Sequence, residues 1–323
     1  MTADANEPVL IDGRLGEGGG QVLRTSLTLA IATGRPLHVT HIRAGRPKPG
    51  LRPQHVACVR AAVAVGNAHA EGAAPGSSEL RFEPQGLLPG PHRVRIGTAG
   101  SATLVAQTVL PALLVADAPS TIHVEGGTHN PMAPPFEFLA EVYLPALERL
   151  GHAFDARLER HGFAPAGGGM LQIDVNPTAT PKTVDWRDRG RVERRLARAV
   201  VAHLPLHIAE RELAVVGKQL GWTERERAVV VAEADGPGNA LLLLAQAENG
   251  AELVTALGRI GKRAEQVAKQ GARAMRAWMQ AEVPVGTHLA DQLLLPLALG
   301  GGGRFRTVAL SSHTTTQILS LIH

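Results

Sequence analysis

The sequence predicts a mixed α/β fold, α/β in its repeats and α+β overall. One β/α unit is repeated three times, and a smaller α/β segment interrupts the third copy. Three observations carry this prediction. An offset of 81 residues takes Gly16 to Gly97, Gly45 to Gly126 and Pro53 to Pro134, so strand, glycine turn, helix, strand, loop and helix recur in order. An offset of 185 residues takes Gln107 to Gln292, Leu110-Pro111 to Leu295-Pro296 and Gly126 to Ser311, which marks a third copy near the end. Residues 185 to about 280 fit neither offset and are rich in Arg, Glu, Ala and Val. The division that follows is a repeat-built domain of residues 1–184 and 282–323, with an inserted domain at 185–281.

The first copy opens with a strand at 8–13 and the turn Gly16-Glu17-Gly18-Gly19-Gly20-Gln21. A helix follows, because Leu23, Leu27, Ala30 and Ile31 share one face at helical spacing. Gly34 and Pro36 end it, since Gly suits the position after a helix and Pro cannot continue one. A strand at 37–42, a basic proline-pinned loop at 43–53, a helix at 54–66 and strands near 68–73 and 79–83 complete the copy. The second copy has a strand at 92–96, a helix containing Gln107, a strand at 121–124, a helix at 135–150, and strands near 153–160 and 170–175. In the insert the pattern predicts helices at 190–202, 223–228 and 259–281 and strands at 206–216, 229–232 and 240–246. Arg191, Arg194, Arg195 and Arg198 then form either a basic helix face or a solvated stripe, and Asp235–Asn239 reads as a hairpin-like turn. The third copy reaches only the start of its second helix before His323, so a sheet edge and a core face are expected to lie uncovered.

Composition narrows the class. The chain has 323 residues, 44% apolar and 19% charged, ordinary for a globular protein with a large core. No run approaches the roughly 18 apolar residues a membrane span needs. The polar start at Met1–Pro8 does not read as a secretion signal, so a cytoplasmic location is expected. The single Cys58 excludes an internal disulfide or a multi-cysteine zinc site, and its helical setting reads as a small buried thiol. Of 33 basic residues only five are lysine. Arginine suits bidentate phosphate contacts, although a GC-rich genome raises arginine equally well.

Several residues could carry chemistry. The glycine turn opening a helix is suited to close approach by an anion, or is simply a tight turn, and Glu17 within it is a metal ligand or an exposed turn residue. It is neither a P-loop nor G-x-G-x-x-G. Arg24, Arg43, Arg46, Lys48 and Arg52 make a phosphate grip or a solvated basic loop. His313 stands among Ser311, Ser312, Thr314, Thr315 and Thr316, hydroxyls that suit phosphate oxygens, and a neutral imidazole is a competent nucleophile toward phosphorus. Asp291-Gln292, at a helix start, could bind metal or nucleotide.

Seven segments together resemble RNA 3′-terminal phosphate cyclases across about residues 9 to 320. They are Gly16–Arg24, Arg43–Leu51 with Gln54-His55, Leu104–Leu113, Gly126–Pro131, His161–Gly169, Leu289–Leu293 and Ser312–Thr314. The resemblance implies repeats like the C-terminal domain of translation initiation factor three. It also implies ATP-dependent conversion of an RNA 3′-phosphate to a 2′,3′-cyclic phosphate, with a divalent metal (Mg²⁺ or Mn²⁺). By the same carry-over His313 is the nucleotidyl nucleophile. Gln107, His288, Leu289, Ala290, Asp291 and Gln292 hold ATP. Arg24, Arg43, Arg46, Gln54 and His55 contact phosphate or RNA, and Glu17 and Asp291 are metal carboxylates. His288 stands where the family has Tyr, and His129 where Asp is common. A non-catalytic ribosome-biogenesis relative is the alternative, disfavoured by the presence of His313. An enolpyruvyl transferase is disfavoured by the Ser-His-Thr loop, and a lysine-type nucleotidyl transferase by the absence of Lys-x-Asp-Gly.

Overall fold

A computed structural model describes residues 7–320. The first unit runs β1 (Val9–Asp12), α1 (Gly20–Thr33), β2 (Leu37–Thr40), α2 (Pro53–Val65), β3 (His69–Glu71) and β4 (Leu80–Glu83). The second runs β5 (Pro91–Arg95), α3 (Ala102–Leu113), β6 (Ser120–Gly126), α4 (residues 136–148), β7 (Ala153–Arg160) and β8 (Gly169–Asn176). Their sheets have the same order, β1-β2-β4-β3 and β5-β6-β8-β7. In each, the first two strands are parallel because a helix crosses between them, and the last two are antiparallel. The likeness extends to single hydrogen bonds. Gly45 N–H donates to Gly18 O at 3.1 Å, and Gly127 N–H donates to Gly100 O at 2.7 Å.

The third unit begins at β9 (Val184–Trp186), which spans the boundary drawn at 184/185 from the sequence. Next come β10 (Val192–Ala202), α5 (His207–Leu220), β11 (Arg227–Val231), β12 (Gly238–Ala247), β13 (Gly250–Leu257) and α6 (Ala264–Ala281). The chain returns through α7 (Thr287–Leu299), β14 (Gly303–Phe305) and α8 (Ser312–Ser320). β14 pairs parallel with β9, as β2 does with β1, so everything between Trp186 and α7 lies inside the third crossover. Among the described residues this sheet has two strands, and Leu310 and Leu319 near it are largely exposed.

Helix ends obey local chemistry. Gly34 takes φ 70° after α1, and Ser101 caps α3 by accepting from Leu104 N–H at 3.2 Å. Pro111 in α3 and Pro296 in α7 each lie four residues after a glutamine, Gln107 and Gln292, whose carbonyls therefore lose their helical donor. One core joins the repeat units through Leu23, Leu27, Leu110, Leu113 and Tyr143, all buried. Each such leucine contributes about 1.5–3 kcal/mol.

The insert departs from the sequence reading. Residues 190–202, read as a helix, are mostly β10, and 206–216, read as a strand, lie mostly in α5. The reason is double burial. The inserted sheet, ordered β11-β10-β12-β13, is sandwiched between two cores. Val200, Leu242 and Leu244 face the repeat units; Ala197, Ala199, Val201, Leu241 and Leu243 face α5 and α6. Small residues fit that position, and packing overrides the helix propensity of Ala and Arg. Of residues 223–228, read as a helix, Glu224–Glu226 form one 3₁₀ turn and the last two begin β11, and β13 was not foreseen. The four arginines are not a helix face: Arg191 pairs with Glu248, Arg195 with Glu226 and Arg198 with Glu141. Asp235–Asn239 is not a hairpin turn, because β11 and β12 both pair with β10 and not with each other.

Candidate active site

The turn before α1 is pressed between two loops from different units. Gly16 and Gly18 take φ 65° and 59°, a region that favours glycine. A Cβ on Gly16 would overlap Thr316 of α8, and one on Gly20 would overlap the His55 ring of α2. Thr316 Oγ1 accepts from Glu17 N–H at 3.0 Å. These contacts turn the Glu17 side chain inward, where it is 4% exposed. Its Oε2 pairs with Arg46 and its Oε1 lies 3.7 Å from His313 Nδ1.

His313 sits in the first turn of α8, which Ser311 caps by accepting from Thr314 N–H at 3.1 Å. Its Nδ1 is buried, whereas the side chain as a whole is 43% exposed. The exposed edge therefore carries Nε2.

Asp291 links three helices behind this pair. Gln21 Nε2 donates to Asp291 Oδ2 at 2.8 Å, and Gln317 Nε2 donates to Asp291 O at 2.9 Å. Gln107 donates to Gln292 Oε1, joining α3 to α7. His288 is exposed one turn earlier, while Leu289 and Ala290 turn their side chains into the core.

The basic residues differ from one another. Arg24 lies beside Gly20; burial lowers its pKa, and Cys58, Asp291 and Glu17 work against that. Arg43 Nη1 donates to two carbonyls of its own loop, Lys48 O at 2.7 Å and Gly50 O at 2.9 Å. Gln54 Oε1 accepts from Ser101 N–H at 2.8 Å and so ties α2 to the cap of α3. Burial, then Arg43, Arg24 and Arg52, hold His55 down at about 3, so it is neutral. Its Nδ1 accepts from Arg52 N–H at 3.2 Å, which leaves Nε2–H as a donor. Cys58 is buried, as its helical setting predicts.

The residues 15–322 match the family model described as RNA 3′-terminal phosphate cyclase. The chain belongs to that family. Relatives with the same name share 47% identity in Ectopseudomonas mendocina over 95% of this chain and 90% of that protein. In Koribacter versatilis the figures are 46%, 96% and 88%, and in Salmonella typhimurium 45%, 96% and 91%. Among the described residues no helix is long and apolar enough to cross a membrane.

Sequence reasoning about this cyclase-family site missed three positioning residues: Gln21, Thr316 and Gln317. Gln21 closes the glycine motif and Thr316 stands in the hydroxyl cluster, so both carried a signal; Gln317 carried none.

Burial pushes Asp291 up to about 7 from 3.8, against Arg24, its backbone and Gln21, with Glu17 reinforcing the rise. The folded chain therefore holds this proton more tightly than the unfolded chain between pH 3.8 and about 7. Stability falls as pH rises through that window. Burial raises Glu212 and Glu252 to about 7 with the same sign. Asp291→Asn is expected to flatten its share, on the order of a few kcal/mol, when urea midpoints are compared across the window. A wild-type-to-variant difference that does not change with pH would count against it.

A divalent cation fits this arrangement at one point. Glu17 Oε1 is a buried acceptor without a hydrogen-bond partner, and Asp291, whose carboxyl the Glu17 charge helps to hold protonated, lies close enough to share a cation.

Proposed function

We propose that this chain converts an RNA 3′-terminal phosphate to a 2′,3′-cyclic phosphate at the expense of ATP, through AMP carried on His313. The observation that carries the reading is His313 itself, with Nδ1 buried against Glu17 and Nε2 on the exposed edge. Nε2 attacks the α-phosphorus of ATP; an N–P bond forms and the P–O bond to pyrophosphate breaks. The Nδ1–H faces Glu17, whose charge offsets the positive imidazole formed on attack. The RNA 3′-phosphate then displaces the imidazole, and AMP passes to it as an anhydride. The vicinal 2′-OH attacks the RNA phosphorus and AMP leaves. Activation is needed because a phosphate monoester has no good leaving group, and the 2′-OH sets RNA apart from DNA.

Arg24 and Arg46 supply phosphate contacts beside the turn, and neutral His55 supplies an Nε2–H donor. Arg43 shapes the loop that carries Arg46. Gln107, Asp291 and Gln292 form a polar wall suited to adenine edges, with His288 outside it. Glu17 and Asp291 would hold Mg²⁺ or Mn²⁺, which when bound neutralises phosphate charge. The repeat units carry these groups; residues 187–281 contribute none.

The test supplies ATP labelled at the α- or γ-phosphate. Label from the α-phosphate is expected on the protein in an acid-labile, alkali-stable bond, and none from the γ-phosphate. An RNA with a 3′-phosphate is expected to end as a cyclic phosphate, and one with a terminal 2′-deoxyribose to stop at the adenylylated end. Cyclisation without protein labelling would overturn the covalent step; γ-label on the protein would overturn the reaction class.

A further inference from the structure

Outside this site, three potential ligands converge from separate elements: His129 in the loop after β6, Glu137 in the first turn of α4, and His161 after β7. Their ligating atoms all lie within 4.8 Å of one another. His129 is 2% exposed and Glu137 8%. His129 Nε2 lies 2.9 Å from Glu137 Oε2, yet neither atom has a hydrogen-bond partner. That approach is close but not aligned as an N–H···O bond.

The other ring nitrogen meets a hydroxyl. Thr128 Oγ1 accepts from Gly162 N–H at 2.9 Å and lies 2.9 Å from His129 Nδ1. In the tautomer that carries its proton on Nδ1 and donates it to Thr128 Oγ1, His129 keeps Nε2 bare toward Glu137. In that tautomer a bare nitrogen and a carboxylate oxygen face each other as two acceptors, a pair that a cation satisfies. The His161 ring stacks on His129, with centroids 5.2 Å apart and 22° between planes, and brings the third donor.

We propose that His129, Glu137 and His161 form a binding site for a divalent transition metal, zinc first. Two imidazoles and a carboxylate suit zinc, whose bonds of about 2.0–2.1 Å put tetrahedral neighbours roughly 3.3 Å apart. The Thr128–His129 contact is the outer-shell bond that such ligands carry. The site joins residues 161–163 to the second unit's loop. His161 N–H also donates to Glu233 O at 3.3 Å, and Gly238 packs on the Phe163 ring, so the metal pins the seam with the insert. Its residues are separate from Glu17 and Asp291.

The test strips full-length protein with a chelator and titrates it with Zn²⁺ by calorimetry, with Co²⁺ absorption as a second readout. One equivalent is expected to bind and to raise the Tm. His161→Gln, a partly exposed position, and Glu137→Gln should each weaken binding by more than about tenfold, and Glu17→Gln should leave it unchanged. Equal binding by wild type and His161→Gln, or loss that follows Glu17 instead, would overturn the site. Should both ligand variants fail to fold, the Co²⁺ spectrum of the wild type decides: imidazole-ligated bands support the site, and an aquo-ion spectrum refutes it.

Discussion

His313→Ala is expected to abolish transfer of AMP to the protein, by at least about 10⁴-fold, and cyclic phosphate formation with it. The geometry leaves no substitute. Ser311 and Thr314 are hydrogen-bonded to each other at 2.9 Å in the helix cap, and the Thr316 hydroxyl holds Glu17 N–H. Hydroxyls are weak nucleophiles without an adjacent base. The nearest imidazole rival is His288, exposed and close enough to feel the His313 charge. His288→Ala should therefore keep its label and lose only nucleotide affinity. Label that survives His313→Ala but disappears in His288→Ala would reassign the nucleophile. Folding is a small concern, because the His313 side chain is half-exposed and its replacement removes no core contact. Circular dichroism of both variants checks this.

The contrast between legible and illegible parts has a physical origin. The repeat units were readable because each strand–turn–helix step leaves a local mark: Gly16, Gly18 and Gly34 need positive φ, and Pro53 opens a helix. Gly16 and Pro53 recur 81 residues on as Gly97 and Pro134, and the bonds beneath them, Gly45 to Gly18 and Gly127 to Gly100, recur one residue out of that step. The insert gave a false signal. In β10 the apolar residues are small because two cores press on it, and the arginines at its other end borrow acids from elsewhere in the chain. In α5, Leu213-Ala-Val-Val looked like a strand, although Ala209, Leu213 and Val216 form one helical face.

The site divides similarly. Glu17, Arg46, Asp291 and His313 stand in motifs, so they were legible as candidates. Their pairings were not: Gln21 meets Asp291 across 270 residues and Glu17 N–H meets Thr316 across 299, separations no single-sequence pattern encodes. Arg43 shows a contact that its residue type did not announce. Its type suggested a phosphate grip, but at φ 57° its side chain folds back onto carbonyls of its own loop. The loops at 43–53, 127–135 and 306–311 (the last running into α8), numbered one to three in chain order and following β2, β6 and β14, do not make equivalent contacts either. Loops one and three meet on the Gly16–Gly20 turn, whereas loop two bonds to its own turn and to Gly162.

Glu17→Gln is expected to slow AMP transfer to His313 by between about 10²- and 10⁴-fold, with little change in the KM for ATP. The carboxylate does two jobs at once. Oε2 anchors Arg46, and Oε1 is the only carboxylate oxygen within 4 Å of His313 Nδ1 among the described residues. Glutamine keeps the size but loses the charge that favours the imidazole cation formed as Nε2 attacks. Its amide would also place a donor against either Arg46 or Nδ1–H. Glu17→Asp keeps the charge on a shorter stem and should recover part of the rate. The same substitution separates positioning from metal binding. If Glu17 served only as a cation ligand, raising Mg²⁺ or Mn²⁺ would restore Glu17→Gln; a rate that stays low at saturating metal assigns the loss to His313. Near-normal labelling by Glu17→Gln would remove the carboxylate from the mechanism and leave its buried, unpartnered oxygen to be explained by folding alone.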